Sequence, residues 1–210
     1  MIGNDIVDYQ FDKKKYLNHR WLQRILTPLE QQHVLTATRP NRYLWSLWAA
    51  KEASYKALQR INPSLTFSPS AYALSVSSLN NLHHNEQKLS AAIDFENHRL
   101  SLRFYWPKET VVHCLACHNP ENWIHLHSLF EHRPHLSGYQ QQSLAVRELA
   151  QTLLKKHHIH ADIIRPNQSM PGYSKPGAPI LVDPQTGHTW PHIISLSHDH
   201  EYIGVALYCL

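Results

Sequence analysis

The sequence is poor in cysteine, lacks any long apolar run, and carries only a small excess of one charge. The three cysteines, Cys114, Cys117 and Cys209, are too few and too odd in number for a disulfide framework. Cys114 and Cys117 form a lone C-x-x-C inside a strand-like stretch, a pattern that suits buried thiols better than a metal or redox site. The longest apolar runs, such as residues 110–117, fall well short of the roughly 18 residues a membrane span needs, so no membrane partner is expected. Asp5 and Asp8 stand where a signal peptide would be basic and then apolar, which points to a soluble, cytoplasmic protein. The 20 Lys and Arg against 16 Asp and Glu give a net charge of +4, without the strong clustered excess of nucleic-acid binders. At 42% hydrophobic and 17% charged residues, the chain is too apolar for a disordered one. What it has in abundance is histidine, 18 in 210 residues. Pairs such as His83-His84, His125/His127 and His157-His158 have no acid or cysteine at ligand spacing, so the count alone does not make a metal protein.

The periodicities predict an α+β fold in two halves, each a helix followed by strands. A short apolar strand interrupted by acids opens the chain, and residues 11–27 carry apolar positions at helical spacing. Thr27-Pro28-Leu29-Glu30 reads as a helix start with a Thr cap, a first-turn proline and an acid three positions on. A further helix is expected over residues 42–60, then strands at 71–76, 91–95, 99–106 and 110–117, with a loop at 77–88. Residues 118–122 form the expected boundary between units 1–120 and 121–210. Beyond it come a strand near 123–127, a long helix over 138–157, a strand at 161–165, a Pro/Gly-rich loop at 166–179, and paired strands at 192–197 and 202–208.

Three constellations could carry chemistry. Glu52 and Lys56, four positions apart, share one helix face, beside a stripe formed by Ala49, Ala53 and Ala57 that would let a strand approach closely. Such a Glu-Lys pair is also the ordinary furniture of a solvated helix. Asp5 lies among Ile2, Ile6 and Val7, where an acid is costly to bury unless it is paired, bonded to backbone or holding a metal. If its strand packs on the Glu52 helix, two carboxylates and a lysine converge, a minimal magnesium and phosphate site. Finally, Ser197-His198-Asp199-His200-Glu201 forms a polar turn between two strands, suited to binding phosphate; its H-x-H lacks a fixed third metal ligand.

Gly3-Asn-Asp-Ile-Val-Asp8, Arg24-Ile-Leu-Thr-Pro-Leu-Glu30, Trp48-Ala-Ala-Lys-Glu-Ala-Ser-Tyr-Lys-Ala57 and Ile194-Ser-Leu-Ser-His198 resemble, in order, the signature segments of holo-acyl-carrier-protein synthases, within the 4′-phosphopantetheinyl transferases. The resemblance implies two pseudo-symmetric lobes, each a helix packed on a small antiparallel sheet. It also implies transfer of 4′-phosphopantetheine from coenzyme A to a serine of an acyl or peptidyl carrier protein, in fatty-acid, polyketide or peptide synthesis, releasing adenosine 3′,5′-bisphosphate. The alternative is a non-catalytic homologue that binds coenzyme A or a carrier. By position in the motifs, Asp5 and Glu52 would hold Mg²⁺, Lys56 would neutralise phosphate charge, and Glu52 or water would take the serine proton. Ser197 and His198 would grip the 3′-phosphate of coenzyme A. Lys175 and Arg147 would add contacts to coenzyme A, although residues 177–179 compete with Lys175 for the same motif position. Lys14, Arg20 and Arg24, beside the Asp5 segment, would dock the acidic carrier.

The chain departs from the small synthases in length, and Val7 occupies the place of a second metal acid in the larger transferases. Asp8 matches an acid of the small enzymes and receives a supporting role. In the larger enzymes a Ser-His segment precedes the Gly-x-Asp segment by one strand, whereas here Asp5 opens the chain and His198 nearly closes it. That order predicts a permuted two-lobed enzyme with neighbouring termini, an intrachain site and a monomeric state, the trimer of the small enzymes being the alternative.

Overall fold

A computed structural model describes residues 1–84, 86–170 and 172–210; Asn85, in the expected 77–88 loop, and Pro171, in the 166–179 loop, lie outside the described residues. The architecture is α+β with antiparallel sheets. In chain order the first part contains β1 (Ile2–Asp8), α1 (His19–Ile25), α2 (Pro28–Thr36), α3 (Pro40–Leu58), β2 (Ala73–Leu74), α4 (Val76–Asn81), β3 (Lys88–Phe95), β4 (His98–Lys108) and β5 (Val111–Cys117). After it come β6 (Leu126–His132), α5 (Gly138–Lys156), β7 (Asp162–Ile164), β8 (Asn167–Met170), β9 (Tyr173–Pro176), β10 (Ile180–Val182), β11 (Ile193–Asp199) and β12 (Tyr202–Tyr208). One sheet runs β1-β5-β4-β3-β2, a second β11-β12-β6, and two small pairs join β7 to β10 and β8 to β9.

Helix α3 lies across β1 and β5, burying Leu44, Leu47, Ala49, Ala53 and Ala57 in the larger core. Helix α5 covers β11 and β12 through Val146, Leu149, Leu153 and Leu154. Residues of β1 alternate between these bodies. Gly3, Asp5 and Val7 turn toward α3, while Ile2 and Ile6 pack with Tyr208 and Tyr202 of the second sheet. The alanine stripe does what its spacing suggests: a Cβ built on Gly3 would sit 2.0 Å from the Ala53 carbonyl oxygen and 2.8 Å from the Ala57 nitrogen. Only glycine permits that approach.

The outer edge of β1 meets the second sheet through side chains. The backbone N–H groups of Asn4 and Ile6 donate to Ser195 Oγ and Ser197 Oγ, each at 3.0 Å, and that of Asp8 donates to Asp199 Oδ2 at 2.8 Å. Alternate residues of β11 thus satisfy alternate donors of an otherwise unpaired edge. Ile2 and Tyr208 share one buried cluster, so the two chain ends lie side by side.

Several expected elements differ. The helix over 11–27 is broken into a 3₁₀ turn at Lys15–Leu17 and α1, because the Asn18 side chain accepts from Trp21 N–H and caps a new start. The 77–88 loop contains most of α4, started by Ser75, whose Oγ accepts from Ser78 N–H, and this leaves only Ala73–Leu74 of the strand expected at 71–76. Trp123 lies in a 3₁₀ turn, and the strand after the boundary is β6. The 166–179 loop folds as the β8–β9 hairpin. Cys114 and Cys117 are free, buried thiols. Among the described residues no helix is long and apolar enough to cross a membrane.

Candidate functional site

The acids and the lysine of the first two constellations meet where β1 crosses α3. Asp5, two residues from Gly3 on the same strand face, receives Lys56 Nζ on Oδ1 at 2.8 Å, and the same ammonium donates to Asn4 O at 3.1 Å. Glu52 lies one helical turn before Lys56. Burial and the nearby negative charge of Asp5 push its carboxyl up to about 7, against the opposing pull of Lys56. Two neighbouring carboxylates, one raised in this way, are a donor set that a hard divalent cation relieves. The residues present therefore fit Mg²⁺.

The other lysine of the K-E-A-x-x-K segment has a different place. Lys51 is fully buried and donates to Glu30 Oε2 at 2.8 Å, to Pro69 O at 3.1 Å and to Tyr72 O. Glu30 also accepts from Thr27 N–H at 2.8 Å and Leu74 N–H at 3.2 Å, completing the capping box of α2. Two of the signature segments are thus joined by a buried ion pair that fixes α3 against α2.

An open cleft of about 530 Å³ lies over Asp5, Glu52 and Lys56. Its far wall is β11 and the turn after it. Ser197 is bound on both sides, its hydroxyl donating to Asp5 Oδ1 at 2.8 Å while accepting from Ile6 N–H. The hydroxyl is committed to holding Asp5. His198 points the other way along the strand, with Nδ1 3.0 Å from Gln142 Oε1 and the ring edge-to-face with Tyr139. Burial, then the positive charges of Lys56 and Arg165, hold His198 below the usual imidazole range. Trp21, Trp45 and Trp48 line the cleft as a group, with ring centroids 5.7 to 6.4 Å apart. Trp45 is buried and Trp48 half-buried, so the expected core-facing side of α3 is also a wall of this cleft.

Other expected residues stand outside the cleft. Arg147 donates to Ile163 O at 2.8 Å, and Lys175 donates to Leu65 O at 3.2 Å. Lys175 lines an adjoining hollow of about 260 Å³ that shares Lys56 and Arg165 with the cleft. Residues 177–179 line that hollow too, so the structure brings both candidates for the motif position to one place. Arg20 and Arg24 are exposed, one turn apart on α1, whose Trp21 faces the cleft, and Lys14 is exposed just before it.

Asp199 and Arg165, to which the sequence motifs give no role, also line the cleft. Asp199 was within reach, because strand alternation from Ser195 and Ser197 puts it on their face. Burial, followed by weaker repulsion from Asp5 and Asp8, outweighs its contacts with Asp8 N–H and His200 and raises its carboxyl to about 6. Arg165 follows a three-residue strand with no local signal. His127 and His157 have no cysteine at ligand spacing along the sequence, yet the fold gathers them with Cys209, their ligand atoms within 4.8 Å of one another. Sequence spacing did not show this because three separate elements supply them.

A holo-[acyl-carrier-protein] synthase of Alteromonas mediterranea is 43% identical over 58 residues, covering 27% of this chain and 46% of that protein. The chain thus spans about half the length of that curated relative. The crystal structure of Thermotoga maritima holo-[acyl-carrier-protein] synthase aligns over 90% of this chain and 83% of its own, at 14% identity and a TM-score of 0.40. The family model of the 4′-phosphopantetheinyl transferase superfamily matches residues 1–116, which contain Asp5, Glu52, Lys56 and the buried Lys51–Glu30 pair but not the β11 wall. By that match, over more than half of its length, the chain belongs to the 4′-phosphopantetheinyl transferase superfamily.

Proposed function

We propose that this chain transfers the 4′-phosphopantetheine arm of coenzyme A to a serine hydroxyl of an acidic acyl or peptidyl carrier protein, releasing adenosine 3′,5′-bisphosphate. The observation that carries this reading is the convergence, from opposite ends of the chain, of Asp5, Glu52 and Lys56 with Ser197 and His198 on one cleft. Asp5 and Glu52 would hold Mg²⁺, which when bound would supply positive charge to the pyrophosphate. Lys56, fixed by Asp5 and Asn4 O, adds its charge on the phosphoryl group under attack. Glu52, or a water beside it, takes the serine proton. Ser197 positions Asp5. Arg165 lies close to Arg147 and Arg60, with Lys56 and Arg165 both facing His198, and the phosphates of coenzyme A would relieve that crowding of positive charge.

We read the molecule as two lobes, 1–120 and 121–210, with the cleft at their junction, supported by the separate cores under α3 and α5. Lys14, Arg20 and Arg24 form the carrier dock beside the cleft. The test is mass spectrometry of several apo carrier proteins incubated with coenzyme A, Mg²⁺ and this protein. A phosphopantetheine adduct that is lost with Glu52→Ala is the expected result; absence of any adduct overturns the enzymatic reading and leaves a binding homologue. Charge reversal at Arg20 and Arg24 is expected to raise KM for the carrier while leaving coenzyme A affinity unchanged, as read by steady-state kinetics and calorimetry.

A further inference from the structure

At the end of the second sheet remote from the cleft, three soft or borderline ligands converge. His127 sits on β6, His157 caps the C-terminus of α5, and Cys209 follows the last residue of β12. His127 pairs with Leu207 across the ladder, and Cys209 lies two residues further along β12's direction, so strand alternation puts His127 and Cys209 on the face that α5 covers. The Cys209 N–H donates to His125 O at 3.0 Å, which continues the ladder and fixes the thiol's position. The two imidazole centroids are 4.0 Å apart. Nδ1 or Nε2 of each ring and Cys209 Sγ all lie within 4.8 Å of one another, and all three residues are partly buried. Among the described residues this is the one group of three His, Cys or carboxylate donors so close together. None of the three side chains has a hydrogen-bond partner among the described residues, whereas His33 is engaged by His83 and His98 by His118.

We propose that His127, His157 and Cys209 bind a zinc ion that staples the end of α5 to the second sheet, a role independent of the transferase reading. Two imidazoles and a thiolate suit Zn²⁺, a tetrahedral ion that takes nitrogen and sulfur ligands, better than an octahedral, oxygen-seeking one such as Mg²⁺. Zn–N bonds of about 2.0–2.1 Å and Zn–S of about 2.3 Å require ligand atoms roughly 3.3–3.6 Å apart. Contraction from the observed spacing is a matter of side-chain rotation at a helix cap and a strand end. Binding forms a zinc–sulfur bond, breaks the Cys209 S–H bond and releases its proton to solvent. Solvent completes the fourth position.

Cobalt is the probe, because a Co²⁺–thiolate charge-transfer band reports sulfur ligation and visible bands report tetrahedral geometry. The full-length protein, stripped of metal and titrated with Co²⁺, is expected to develop both in one-to-one proportion and to lose them on addition of one equivalent of Zn²⁺. Cys209→Ser is expected to abolish the charge-transfer band, and His127→Ala and His157→Ala to weaken binding by more than the roughly 10–100-fold that loss of an outer-shell partner causes. Glu52→Gln, which alters the cleft, and His33→Ala, which breaks another histidine pair, are expected to leave the band intact. No thiolate band in the wild-type protein, or a band undiminished in Cys209→Ser, overturns the proposal.

Discussion

Lys51 and Lys56 stand five residues apart on one helix and illustrate how differently a single motif spends its charges. Lys51 is sealed in the core, where burial depresses its pKa and Glu30 opposes that effect. Removing one partner of such a pair strands the other as a buried charge, so Lys51→Met is expected to cost about 3–5 kcal/mol. Urea denaturation measures this, and restoration by adding Glu30→Gln would show that the stranded carboxylate is the cause. Glu52 is the converse case. It sits beside Asp5 with a carboxyl raised by burial and like charge, so Glu52→Gln removes a repulsion. Transfer is expected to fall by roughly 10²–10⁴ on loss of the base, with a melting temperature at or above that of the wild type; a clear drop in melting temperature would mean that Glu52 serves the fold. His113 makes a third, pH-dependent prediction. It is fully buried, accepts from Asn4 Nδ2 at 3.3 Å, and burial followed by Lys56 lowers its pKa from 6.5 to about 3. The unfolded chain therefore takes up the proton first, and the stability contributed by neutral His113 is complete above pH 6.5 and lost as pH falls toward 3. The expected slope is up to about 1.4 kcal/mol per pH unit. Denaturation series for wild type and His113→Gln check it, since the difference between them should follow that slope.

Elements were legible where local chemistry decided them. The Thr27–Glu30 capping box, the span of α3 and the alanine stripe were all readable, because cap, period and side-chain size act within a few residues. The Gly3-x-Asp5 spacing also carried its own meaning: period two puts the glycine that admits α3 and the acid that meets Lys56 on one face. What remained hidden was long range. No local pattern says that Ser195, Ser197 and Asp199 cap the edge of a strand some 190 residues away, or that a histidine at a helix end will face a cysteine after a strand. The 11–27 helix was misjudged because the Asn18 cap outcompeted a continuous apolar period. The strand-to-edge contact yields its own prediction. Ser195→Ala leaves the buried Asn4 N–H without an acceptor, which costs about 1–3 kcal/mol, while leaving the side chains of Asp5, Glu52, Lys56 and His198 in place. A lower melting temperature with unchanged turnover per folded molecule is expected.

At the scale of the whole molecule, the question is whether one chain suffices for a site. Ser197 and Asp5 are 192 positions apart and yet in direct contact at 2.8 Å, through strands packed within the same chain. Ile2 and Tyr208 lie together, so the joint between the last strand and the first is short in space although it is the longest separation in sequence. If the proposed site is assembled in this way, it needs no second copy. The protein is therefore expected to run as a monomer in solution sizing. Mixing distinguishes the alternatives more sharply. Asp5→Asn removes the β1 contribution and His198→Ala the β11 contribution. If each site draws both residues from one chain, a mixture of the two variants contains no complete site, and transfer should stay at the sum of the separate residual activities. If protomers shared the site, as in a ring that pairs β1 of one chain with β11 of the next, some sites in the mixture would combine two intact halves and activity would recover. Recovery well above the sum, accompanied by a trimeric elution volume, would refute the intrachain site and require that the Ser197–Asp5 contact form between chains.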